Sequence, residues 1–172
     1  MRTLIFIMLL FPIATFSQKQ DVYIKLTDAR AQQIKGDALV KGFERWLQAG
    51  TISSSGKNNS QLNFTMNISG ASADLKRALT NGELLLNGQV TVITSASDGS
   101  SRPVTAYTIK MEKISVLACS EMMGCNNQMT TTATLKATRI GWTYYQTDKT
   151  GATAVSRKYG WDEDTNAEWV TF

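Results

Sequence analysis

Histidine is absent from all 172 residues. That gap removes Ser-His-Asp and Cys-His nucleophile pairs, histidine zinc sites and the commonest general base. Phosphate cradles are missing too. No GxGxxG occurs, and Gly56-Lys57 lacks both the upstream glycine and the following Ser or Thr of a P-loop. After the first 17 residues, no apolar run approaches the roughly 20 residues of a membrane-spanning helix. Basic residues are scattered, with only Lys76-Arg77 and Arg157-Lys158 adjacent. A clustered basic face of the kind that grips nucleic acid is therefore not legible. The formal net charge is +4, of which Arg2 contributes one.

Two cysteines remain, Cys119 and Cys125. In an exported protein such a pair reads first as a disulfide closing a small loop, with free thiols as the alternative. A metal site needs more ligands than this pair offers, so neither a metal nor a cofactor is expected.

What the sequence does contain begins with a distinct leader. Arg2 precedes the apolar stretch Leu4 to Ala14, and Thr15-Phe16-Ser17 is small at the two positions a signal peptidase reads. This is the layout of a secretory signal peptide over residues 1–17, cleaved after Ser17. No cysteine follows the cut, which disfavours a lipid anchor. The mature chain, 18–172, is expected to be exported as one domain.

Its patterning is that of a β protein. Val22, Ile24 and Leu26 alternate with Tyr23, Lys25 and Thr27, and Leu62, Phe64, Met66 and Ile68 alternate with Asn63, Thr65, Asn67 and Ser69. Between these strands, Ala29 to Gly42 reads as an irregular excursion and Ser53 to Ser60 as a polar loop. Residues 43–54 fit a helix or a strand equally. Ser72 suits the cap of a short helix over Ala73 to Thr80, with Asn81-Gly82 ending it. Gln89 to Ser95 and Pro103 to Ala118 form a hairpin around Ser97 to Ser101.

Two long strands change apolar phase partway. In one, Tyr107, Ile109 and Met111 give way to Ile114, Val116 and Ala118; in the other, Leu135 and Ala137 give way to Ile140, Trp142 and Tyr144. Each slip implies a bulge or bend, as where a sheet curls into a barrel. Ala152 to Trp161 returns as the last strand, and Asp162 to Phe172 reads as an acidic, then aromatic, solvated tail. The sum is a mainly β domain, a small antiparallel barrel or sandwich with one short helix.

Candidate chemistry is thin. Asp162, Asp164 and Asn166 have calcium-loop spacing, but Ala167 stands at the glycine position and the closing glutamate would lie beyond Phe172. The acidic residues sit mainly in loops and turns, so a carboxylate-pair hydrolase ranks last. Asn58, Asn63 and Asn67 head glycosylation sequons that arise easily in an Asn-rich alternating stretch. Trp46, Trp142, Trp161, Trp169 and Tyr144-Tyr145 suit a β core or subunit contact better than a sugar-stacking face.

The order of these segments resembles the Hcp tube proteins of type VI secretion systems. The matching pieces are Asp21-Val22-Tyr23-Ile24-Lys25-Leu26, the excursion at Ile34-Lys35-Gly36-Asp37, the 43–54 segment with Trp46 and Gly50, and Leu62-Asn63-Phe64-Thr65 leading to the helix near Leu75. Lys158-Tyr159-Gly160-Trp161 closes the series, so the likeness spans about 20–162. It tips residues 43–54 toward a strand. It implies a compact barrel assembled into six-membered rings that stack into a tube, engaging copies of itself and secreted effectors or spike proteins. No catalytic residue follows from it, and the excursion Ala29 to Gly42 and the loop Ser53 to Ser60 become candidate ring contacts. The leader departs from the family, whose members are usually made without one. The rival reading is an exported, monomeric β-barrel binding module for a carbohydrate, lipid or protein.

Overall fold

A computed structural model describes residues 20–95, 102–124, 127–148, 150 and 152–172. The expected leader, the 97–101 turn and Cys125 lie outside the described residues. Eight strands form: β1 (Asp21–Thr27), β2 (Leu47–Ser55), β3 (Gln61–Asn67), β4 (Leu85–Ser95), β5 (Pro103–Met123), β6 (Met129–Thr147), β7 (Thr153–Asp162) and β8 (Ala167–Glu168). The single α-helix among the described residues, α1 (Gly70–Asn81), connects β3 to β4.

Neighbouring strands run β3-β2-β1-β4-β5-β6, and β6 pairs again with β3. That pairing closes the barrel and removes most sheet edges. Strand β6 serves three neighbours. Along one edge it holds β5; along the other its first half, Thr130–Lys136, holds β3 and its second half, Arg139–Thr147, holds β7. The fold is the small antiparallel barrel with one helix that the alternating pattern implies.

The two apolar phase changes turn out to be one bend. Met111 and Ile114 are both buried on β5, as are Ala137 and Ile140 on β6. Between Met111 and Ile114, Lys113 sits at φ 51°, a left-handed conformation that reverses the pleat. The Thr138 hydroxyl donates to the Lys113 carbonyl at 3.2 Å, and the Glu163 N–H reaches the Thr138 carbonyl at 2.9 Å. Both strands of this hairpin thus switch faces together, and the true register shift lies further on, between Val116 and Ala118.

Inside the barrel Ile24, Leu26, Leu62, Phe64, Leu135 and Ile140 are fully buried, each contributing about 1.5–3 kcal/mol of transfer free energy. Helix α1 covers one part of this core with Ala71, Leu75 and Ala78. Its start corrects the sequence reading. Ser69, in extended conformation, is the capping residue, and Ser72 lies one turn inside. The Ser69 N–H donates to the Ser72 hydroxyl at 3.2 Å, and that buried hydroxyl bonds Thr131 on β6 at 2.7 Å. Ser72 therefore fastens the helix to the barrel. Gly82, at φ 61°, ends it as expected.

Residues 43–54 divide between two states. Strand β2 begins only at Leu47, while Phe43 and Trp46 lie in the preceding turns. Ser53 to Ser55, expected in a loop, continue β2 opposite Asn63, Leu62 and Gln61. The excursion before β2 must pass close to it at Gly36, where a Cβ would stand 2.3 Å from the Trp46 carbonyl oxygen.

Candidate functional site: an outer sheet face and an open strand edge

Register places the outward residues of β1, β4, β5, β6 and β7 in three cross-strand rows. The first is Thr27, Asn87, Glu112, Arg139 and Asp162; the second Lys25, Gln89, Lys110, Gly141 and Gly160; the third Tyr23, Thr91, Thr108, Thr143 and Lys158.

The first row ends in an ion ladder. Arg139 donates to Asp162 at 2.8 Å and to Glu112 at 3.2 Å. Asp162 is buried, and its other oxygen accepts the N–H groups of Asp164 at 2.9 Å and Thr165 at 3.3 Å. The expected calcium spacing is thus an Asp-headed turn closed by backbone N–H groups. Burial pushes the Asp162 carboxyl up, but the hydrogen bonds from Arg139, Thr165 and Asp164 outweigh it and hold it below its ordinary value. Glu163 is lowered for similar reasons: burial is offset by Ser60 and Lys136, whose ammonium lies 3.0 Å from it. Glu112 and Asp162 both serve one arginine, so this carboxylate pair is a salt ladder and not an acid-base couple.

A depressed carboxylate stabilises the fold above its unfolded pKa of about 3.9 and loses that contribution as pH falls through the lower, folded value. Thermal melts of the native chain and Asp162→Asn should accordingly differ most at neutral pH. Below about pH 4 the gap between the two should narrow steadily.

On the second row, the paired glycines form a platform for the end of the chain. A Cβ at Gly141 would lie 2.7 Å from the Phe172 ring, and one at Gly160 would lie 2.4 Å from the Trp169 carbonyl oxygen. Phe172 packs on Trp169, with centroids 5.0 Å apart. Lys158 from the third row sits 4.4 Å over the Phe172 ring and donates to the Phe172 carbonyl at 2.7 Å. Trp169 is 8% exposed. The segment expected to be a solvated tail is therefore a strap across β6 and β7.

At the opposite border of this face, Tyr23 stacks on Phe43 at 4.5 Å, Phe43 meets Trp46 edge-on at 5.1 Å, and Lys25 lies 5.9 Å from the Trp46 ring. Trp142 is buried. Trp142 and Trp169 are thus packed, as the sequence reading favoured, while Trp46 and Trp161 are half-buried.

The sheet is left open along β7. Its partner β8 reaches only Trp161 and Asp162, so one edge from Thr153 to Tyr159 carries no strand among the described residues. Both faces of this run are exposed as well, including Val155 at 55% and Tyr159 at 48%. Tyr144, expected among the inward residues of β6, lies on this arm at 48%. A second edge with no strand beside it among the described residues is Thr51 to Ser55 of β2, because β1 pairs with Leu47 to Ala49. Of the candidate contact loops, the excursion carries Leu39 at 93% exposure. Of the Ser53 to Ser60 candidate, Ser53 to Ser55 belong to this second edge and the rest follows the strand.

Cys119 lies half-buried on β5, paired with Ala133. Burial pushes its thiol up, Lys76 pulls it down and Glu121 raises it again; the outcome is a raised value, which disfavours the thiolate. From Cys119 the strand stays paired to Met123. The expected bridge partner, Cys125, lies outside the described residues.

Residues 23–144 match the family model described as "Type VI secretion system effector, Hcp". The chain belongs to the Hcp family. Among solved structures, Hcp1 from Salmonella typhimurium superimposes with a TM-score of 0.71 at 15% identity, covering 87% of this chain and 99% of the other. Hcp1 from E. coli EAEC 042 gives 0.63 at 21%, covering 78% and 96%. The secreted protein Hcp3 from Pseudomonas aeruginosa gives 0.63 at 16%, covering 80% and 97%. At such identities the likeness is one of fold. No curated protein matches by sequence. As an Hcp-family barrel, the chain is a structural protein of type VI secretion. What sequence reading missed is the strap and its glycine platform. Only Gly160, inside Lys158-Tyr159-Gly160-Trp161, hinted at them.

Proposed function

We propose that this Hcp protein is an exported, non-enzymatic subunit that joins copies of itself head to tail into six-membered rings able to stack. The observation that carries the reading is the uncovered β7 arm, whose edge and both faces are exposed from Thr153 to Tyr159. Open edges with exposed Val and Tyr side chains are templates for another strand, and folds ordinarily blunt them. Here the arm offers one unlike surface and the β2 edge another, which is what a heterologous contact needs, and such contacts close into rings when the rotation permits.

On the outer face Glu112 and Asp162 are both committed to Arg139, which favours a structural role for that pair. Export rests on the leader at residues 1–17, and secreted effectors or spike proteins are the partners a stacked tube would meet. Negative-stain microscopy of the purified mature chain should reveal rings with a central hole. Fields of small particles without a hole would reject the assignment.

A further inference from the structure

Strand β8 and the strap share one edge of β7, and the chain leaves that edge at a definite point. Ala167 and Glu168 lie opposite Asp162 and Trp161, and the Trp169 N–H donates to the Gly160 carbonyl at 3.0 Å. Counting on in the same antiparallel register sets Val170 opposite Tyr159, Thr171 opposite Lys158 and Phe172 opposite Arg157. The chain does not take that course. After Trp169 it turns onto the outer face, where the Phe172 ring fills the space that side chains at Gly141 and Gly160 would need. Val170 is left 68% exposed, and Thr171 is exposed too.

The course not taken suits a strand. Val, Thr and Phe all favour extended, paired backbone. Because the bond from Trp169 makes its pairing with Gly160 a hydrogen-bonded one, Tyr159 and Val170 would form the closer, non-hydrogen-bonded kind of pair, and Lys158 and Thr171 would exchange N–H and carbonyl bonds. Tyr159 is 48% exposed and Arg157 is exposed as well. Val170 and Phe172 would therefore each gain a neighbour on the face of β7 turned away from the platform. Against this, the platform offers the Phe172 ring the Trp169 ring at 5.0 Å and the Lys158 ammonium at 4.4 Å. The two seats exclude each other, since Phe172 cannot lie on both faces of β7.

We infer that residues 170–172 are a two-position switch on the edge that a second copy uses: seated on the glycine platform they leave Tyr159, Lys158 and Arg157 open to another strand, and laid along the edge they close it. The switch presupposes the ring reading above, in which a neighbour's strand joins β7, and adds its control. Gly141 and Gly160 bias it open, because only without side chains there can the ring settle on the sheet. A subunit whose strap is on the platform for a fraction of the time binds a second copy in proportion to that fraction.

Gly141→Val tests the switch, because the added Cβ would stand 2.7 Å from the Phe172 ring. Phe172→Thr removes the ring instead and leaves the barrel unaltered. The readout is hydrogen exchange at the Lys158 amide, which faces the same edge as the Gly160 carbonyl two residues on, followed by NMR in a Val155→Lys background whose added edge charge keeps subunits apart. Exchange should be fast with the native strap and about tenfold slower in either variant, as for an edge seat filled about nine-tenths of the time. It should be fast again when the Gly141→Val chain stops after Trp169. Without Val155→Lys, Gly141→Val should raise the concentration at which rings form by about the same factor of ten, and the shorter chain should restore it. Unchanged exchange in both variants, or protection that survives removal of residues 170–172, would overturn the switch. Protection of Lys158 in a chain that assembles as well as the native one would also overturn it, since a second copy would then not need this edge. A native chain that never assembles, with the exchange pattern as expected, leaves the two-seat strap standing and removes the ring reading alone.

Discussion

Gly160→Val is expected to lower stability by about 1–3 kcal/mol, the usual range for overpacking a filled site, and to free the chain end from the barrel. The new Cβ would stand 2.4 Å from a backbone oxygen, that of Trp169, and 2.6 Å from the Phe172 ring. A backbone atom cannot rotate aside as a side-chain tip does, so either β7 or the strap must move. The strap is held by the Phe172 ring lying on Gly141 and Gly160, by Lys158, which lies over that ring and donates to the Phe172 oxygen, and by the Trp169 N–H, which donates to the Gly160 carbonyl at 3.0 Å. It is the weaker element and should yield. Urea unfolding would register the lost stability. A red shift of tryptophan emission before the main transition would report exposure of Trp169. A variant with native midpoint and native emission would refute the platform.

Val155→Lys is expected to raise the concentration at which rings form on the order of a hundredfold, about 2.7 kcal/mol. Burying a valine against a neighbour contributes roughly 1.5–3 kcal/mol, and a lysine on an edge is a device by which proteins prevent strand addition. Its position favours the test. Val155 is 55% exposed on an arm that, among the described residues, pairs with the barrel through β6, so the isolated subunit should keep its melting temperature. Arg157 and Lys158 already make this edge basic, and a third cation adds repulsion to lost burial.

Much of this fold could be read from the residues because alternation is a local signal. Leu62 to Met66 announces β3 by itself, and the phase slips at Met111/Ile114 and Ala137/Ile140 mark the bend. Their common cause could not be read. It depends on Lys113 meeting Thr138 across the hairpin, a contact between residues 25 positions apart. The helix start was missed by one turn because Ser69 and Ser72 are equally good caps locally, and only the Thr131 hydroxyl opposite Ser72 decides between them. Residues 43–54 fit both states because they contain both a turn and a strand. The chain end was misread for a related reason. Asp162 to Glu168 is acidic enough to suit solvent, yet Arg139 and the glycine platform lie on strands far away in sequence.

Sedimentation velocity of the purified mature chain and of Val155→Lys, over a wide concentration range, tests the self-complementary surface most directly. The native chain should show one discrete species of ring mass that persists on dilution, and the variant should sediment as a single subunit over most of that range. A native chain that stays a single subunit at the highest concentration would contradict the account, and so would a variant that assembles as well as the native protein.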